Sequence, residues 1–114
     1  MKGTQVLMRF IMGLIALGFF NGEAVAQTAS LPQRHIIHIE AFAFQPPKII
    51  VSPGDTIVWV NRDIVPHFLN IAEGEMQSPV IEEGQKWEMV LDQPGSYAYI
   101  CVFHPKMTGE FATN

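Results

Sequence analysis

GSYAYICVFHPKMTGEF, residues 95–111, holds both the folding pattern and the chemistry of this chain. In its first half Tyr97, Tyr99 and Cys101 share one parity and Ser96 and Ala98 the other, the period of a strand buried on one face. Its second half gathers a thiol, an imidazole and a thioether at Cys101, His104 and Met107, with Pro105 helping to fix a turn among them. Three extended residues reach about 10 Å, so bringing these side chains to one point requires the chain to fold back tightly after Cys101.

Upstream, Trp87, Met89 and Leu91 alternate with Lys86 and Glu88 in the same way. Pro46-Pro47, Pro53-Gly54, Pro66, Gly74, Pro79, Gly84, Pro94-Gly95, Pro105 and Gly109 punctuate the chain too often for long helices. Further strands are expected over 34–40, 48–51, 55–61 and 68–71, with a short last one at 109–113. This pattern predicts an all-β chain, an antiparallel Greek-key β-sandwich of about seven to eight strands. Trp59, Trp87, Tyr97, Tyr99, Phe42 and Phe44 are the expected aromatic core, and Phe103 and Pro105 an exposed apolar rim. His35 and His38 stand three apart on a strand, so they face opposite ways and cannot clamp one metal. Residues 72–84, with Glu73, Glu75, Glu82 and Glu83, read as a solvated loop.

The chain has 114 residues. Met1 to Arg9 carries two positive charges, FIMGLIALGFF (residues 10–20) is an uncharged apolar run, and Ala24-Val25-Ala26 supplies small residues for cleavage. Eleven helical residues span about 16 Å, too short for a hydrocarbon core of about 30 Å. Residues 1–26 therefore read as a secretory signal peptide and 27–114 as one folded domain, exported to the periplasm with no stable membrane insertion. The leader holds two of the 7 basic and one of the 11 acidic residues, so the remainder carries a net charge of −5. No nucleic-acid partner is expected for such a surface. The only cysteine forms no internal disulfide, and a bound metal is the natural extra staple for so small a core.

The metal follows from the donors. Cys101, His104 and Met107 need a further ligand from another strand, and His67, after Pro66, is the best placed of the other histidines. Zinc gains little from a thioether, whereas two imidazoles and a thiolate with a weak axial Met is the blue-copper arrangement. A rigid site between the preferences of Cu(I) and Cu(II) lowers the reorganisation needed to pass an electron. An enzyme with a Cys101 nucleophile is not expected, because nothing supplies an oxyanion site or an orienting acid.

With these residues in place the chain resembles the cupredoxins, the small blue copper proteins, and among them it is most similar to the amicyanins. KIIVSPGDTIVWVNRDIVPHF (residues 48–68) is similar to the strand, turn and strand that lead to the family's first ligand histidine, and residues 95–111 to its ligand loop. The two-residue gaps between Cys101 and His104 and between His104 and Met107 resemble the short loop of the amicyanins. The resemblance implies a cupredoxin-like sandwich, one type 1 copper held by His67, Cys101, His104 and Met107, and electron transport with a redox enzyme or cytochrome outside the cytoplasm, by a monomer. A copper delivery or storage protein, exchanging metal instead of electrons, is the alternative. Three positions depart from common family usage. Phe68 stands where many members have an Asn that ties the two ligand-bearing loops together, Ile100 where some have an exposed aromatic, and Val102 where a polar residue is frequent.

Overall fold

A computed structural model describes residues 31–114, together with Gly18; the expected signal peptide otherwise lies outside the described residues. Nine strands form two sheets: β1 (Arg34–Glu40), β2 (Ala43–Gln45), β3 (Lys48–Val51), β4 (Thr56–Asn61), β5 (Leu69–Ile71), β6 (Met76–Gln77), β7 (Lys86–Val90), β8 (Ser96–Cys101) and β9 (His104–Thr113). The first sheet has the order β2-β1-β4-β7 and the second β3-β9-β8-β5-β6. The all-β sandwich is as the sequence predicts, and no helix of the described residues is long and apolar enough to cross a membrane.

The pairing differs from an antiparallel expectation at two places. β1 runs parallel to β4 and β3 parallel to β9, so both sheets are mixed. The chain passes from the first sheet to the second between β2 and β3, then returns at β4, which places β4 beside β1 through a change of sheet and not a hairpin. Alternation in a sequence reports which face of a strand is buried; it is the same whichever way the neighbour runs. The last strand is also longer than expected. It begins at His104 and takes in residues 104–108, which read as a turn because of Pro105.

Residues 72–84 are only partly a loop. After a single 3-10 turn (Ala72–Gly74), β6 pairs with β5, and Ile81 bridges to His67 through two backbone hydrogen bonds of 3.0 and 2.8 Å. Ser78 is buried, and its Oγ accepts the Leu69 N–H at 2.9 Å.

The inner faces meet in one core. Trp59 stacks on Trp87 with ring centroids 5.2 Å apart and lies edge-to-face with Tyr99 at 5.5 Å, and Tyr99 meets Phe44 at 4.7 Å. Tyr99 faces Gly109 across the β8–β9 pair, and a Cβ at that glycine would collide with the Tyr99 ring, which occupies the volume a side chain would need. Burial pushes the Tyr99 hydroxyl up to about 12. Trp87 and Tyr97 are partly buried against this core, but Phe42 is 53 % exposed and is not a core residue.

At the opposite turn, Asp55 is buried and its carboxylate accepts the N–H groups of Gln33 and Ser52, each at 2.9 Å, and the His35 Nε2–H at 2.8 Å. The Gln33 amide is the largest cause, ahead of Ser52 and His35, of a carboxyl held down to about 2 from an ordinary 3.8. A depressed carboxylate stabilises the fold above its unfolded pKa and loses that contribution as pH falls through the folded one. Chemical unfolding measured between pH 4 and pH 2 should therefore show a fall in stability that is flattened in Asp55→Asn; equal slopes in the two proteins would remove Asp55 from the acid limb.

Candidate metal centre

β4 ends at Asn61, which is fully buried, and the chain must then turn to bring His67 inward. The Asn61 side chain organises that turn. Its Nδ2 donates to the carbonyls of Val65 and Ile81 at 2.8 and 2.9 Å, and its Oδ1 accepts the Asp63 N–H at 2.9 Å. Pro66 then leads into His67, whose backbone bonds Ile81 and whose ring has no exposure.

The second arm comes from β8 and β9. Val102 and Phe103 form a two-residue turn, so Cys101 and His104 face each other across the pair, with an irregularity in register at Ile100 and Cys101. Cys101 is fully buried, His104 half-buried, and Met107, three residues on, is 5 % exposed in the same core cluster as Cys101. A backbone bond from Val102 N–H to the Phe68 carbonyl at 2.7 Å ties the two arms together. The Phe68 and Phe103 rings add a contact at 6.0 Å, where other members of the resembled group have an Asn side chain.

Cys101 Sγ lies 3.5 Å from His67 Nδ1 and 3.7 Å from His104 Nδ1, and one ligand atom from each of the three residues lies within 4.8 Å of the others. A sulfur at about 2.3 Å and a nitrogen at about 2.05 Å from a common metal, 110–120° apart, are separated by about 3.6–3.8 Å. The pocket formed by these three side chains thus has the spacing of a first coordination sphere. A thiol and two imidazoles, with a buried thioether in the same core cluster as the thiol, fit a soft metal that alternates between sulfur and nitrogen preference, which is copper.

Asp63 does not stand out in the sequence. Its carboxylate accepts the His67 Nε2–H at 2.8 Å, and because an ionised carboxylate only accepts, this bond puts the ring proton on Nε2 and leaves the Nδ1 lone pair facing Cys101. The same carboxylate takes the N–H groups of Ala41 and Phe42 at 2.8 and 3.1 Å. The signal was faint: one acid four residues before His67 in a turn, which sequence alone does not separate from a surface charge. His35 and His38 lie outside the cluster, in keeping with their reading as ordinary strand residues. Phe103, 49 % exposed, and Pro105 flank His104 as an apolar rim.

A fold of two mixed sheets with a Cys–His–His cluster at one end defines a small copper protein of the sandwich type. The model of the copper binding proteins, plastocyanin/azurin family, matches residues 34–113, and the chain belongs to that family. Amicyanin of Paracoccus denitrificans is 28 % identical over 80 residues, 66 % of this chain and 61 % of that protein. Amicyanin-alpha of Methylorubrum extorquens is 28 % identical over 79 residues, 65 % of this chain and 66 % of that protein. The chain thus spans less than two thirds of the length of these relatives. Among solved structures, an amicyanin mutant in its oxidized state is similar with a TM-score of 0.67 and 27 % identity, over 71 % of this chain and 82 % of that one. The two relatives and the solved structure are all amicyanins, the group that the ligand loop resembles.

Removing the Asn61 amide would leave the part-buried Val65 carbonyl and the buried Ile81 carbonyl without that donor. Asn61→Ala should lower stability by about 3 kcal/mol, measured by denaturant titration of the metal-free protein. A loss below about 1 kcal/mol would mean that the turn holds itself.

Proposed function

We propose that this chain is an exported, periplasmic electron carrier with one type 1 copper, held by His67, Cys101, His104 and Met107 after removal of residues 1–26, and that it works as a monomer rather than as an enzyme. The observation that carries the proposal is the fully buried Cys101 thiol with an imidazole nitrogen on each side at 3.5 and 3.7 Å. Bound copper supplies a one-electron couple between Cu(I) and Cu(II). Cys101 would offer a thiolate, His67 a nitrogen already aimed by Asp63, and Met107 a weakly held thioether sulfur. The surrounding sheets hold these donors in one arrangement for both oxidation states, which keeps reorganisation small. His104, the one half-buried member of the cluster, gives electrons a way out beside the apolar Phe103 and Pro105, where a redox enzyme or cytochrome outside the cytoplasm would dock.

Copper delivery or storage fits less well. A protein that hands metal on needs ligands that an acceptor can reach, and two of the three clustered residues have no exposure.

The deciding measurement is the visible and paramagnetic resonance spectra of the protein with one equivalent of Cu(II). An intense blue band with small copper hyperfine splitting is expected; a pale spectrum with large splitting would overturn the proposal. Cys101→Ser should abolish the band and leave a folded sandwich by circular dichroism, because the colour arises from sulfur-to-copper charge transfer and the fold from the core. Met107→Leu should keep copper and colour but raise the reduction potential, since the lost axial donor stabilises Cu(II) more than Cu(I). An unchanged potential in Met107→Leu would take the thioether out of the site.

A further inference from the structure

The turn between β1 and β2 carries two consecutive non-glycine residues in the left-handed region, Ala41 at φ 52° and Phe42 at φ 57°. A bulky side chain in that region costs free energy and persists only where neighbours hold it. The hold here is Asp63, whose two oxygens take the N–H groups of both residues while one of them also takes the His67 Nε2–H. The consequence is where Phe42 goes. Its ring lies edge-to-face with His104 at a centroid distance of 4.9 Å and with His67 at 6.1 Å, so one side chain from outside both ligand-bearing arms touches the imidazole of each. Phe42 is 53 % exposed, and the core has no use for it.

The geometry points to Phe42 and Asp63 as a two-part clamp that positions the imidazoles for copper, resting on the copper site proposed above. Asp63 fixes the tautomer and tilt of His67 and, through the backbone of the turn, holds Phe42 over His104. Phe42 limits the swing of the half-buried His104 ring and covers its edge against water. This supplies from the β1–β2 turn a restraint between the two arms, in a chain that has Phe68 where related proteins place an Asn tie. Neither residue is a ligand; both are positioning residues.

The test is the rate at which a strong Cu(I) chelator removes copper from the reduced protein at fixed pH, together with the mobility of the His104 ring by NMR in the metal-free protein. An edge-to-face contact of ordinary strength makes Phe42→Ala release copper about threefold to tenfold faster. Phe42→Tyr should restore the wild-type rate, and the unfolding midpoint of the metal-free protein should stay unchanged, because the ring is largely outside the core. In Asp63→Ala, where the turn is released, adding Phe42→Ala should change the rate little, so the two effects do not add. Should Asp63→Ala fail to fold, Asp63→Asn carries the same comparison, since it removes one of the two acceptor oxygens. A wild-type release rate and an unaltered His104 ring in Phe42→Ala would overturn the clamp, as would fully additive effects. Failure of the wild-type protein to take up copper with a blue band would instead overturn the copper site itself, which separates the two outcomes.

Discussion

The side-chain amide of Asn61 holds the end of β4, the turn that follows and the segment carrying Ile81, and His67 can face the interior only because that turn is closed. A short polar side chain in the core is normally a liability, since an unpaired amide there costs about 1–3 kcal/mol. Here every hydrogen bond it makes goes to backbone beyond the end of the strand, and at the Ile81 carbonyl the amide joins the His67 N–H as a second donor. The amide works as a replacement for sheet pairing where the strand has ended. Asp63 inherits its position from the same bond, and through Asp63 so do the His67 ring and the β1–β2 turn.

The site has a rigid side and a softer one. His67 is fully buried, bridged to Ile81 by its backbone and fixed at Nε2 by Asp63; Cys101 is the last residue of β8, in the core cluster. His104 lies beyond a two-residue turn, half-buried, with the Phe42 ring against it and Phe103 next to it in the chain. The electron carrier proposed above would need both properties together: donors that do not move when the charge on the metal changes, and one donor close enough to the surface for a partner to approach. Apolar surroundings serve the second need as well, because they shed water when a partner docks and leave only a short gap between redox centres.

The chemistry of the site was legible because it is local. Cys101, His104 and Met107 fall within seven residues, and a thiol, an imidazole and a thioether at that spacing leave few other uses. His67 was legible through its Pro66 neighbour and the resemblance of residues 48–68. The layered all-β architecture was legible for the same reason, since alternation and the density of Pro and Gly are properties of short stretches. Phe42 was misread as core because an aromatic two residues before Phe44 shares its parity, and parity holds only while the chain stays extended; two left-handed residues at 41 and 42 break the period and turn Phe42 outward.

By itself the sequence determined the class of fold, the candidate donor residues and the order in which they arrive along the chain. Tertiary structure alone decided the parallel pairing of β1 with β4 and of β3 with β9, the extension of β9 through Pro105 and Met107, and the meeting of Asp63 with the amides of Ala41 and Phe42. The physical reason is range. Hydrophobic period and ligand spacing are set by neighbours a few residues apart, whereas strand direction and the partner of a lone carboxylate are set by which segments, some 20 to 60 residues apart in the chain, share the same few ångströms of space.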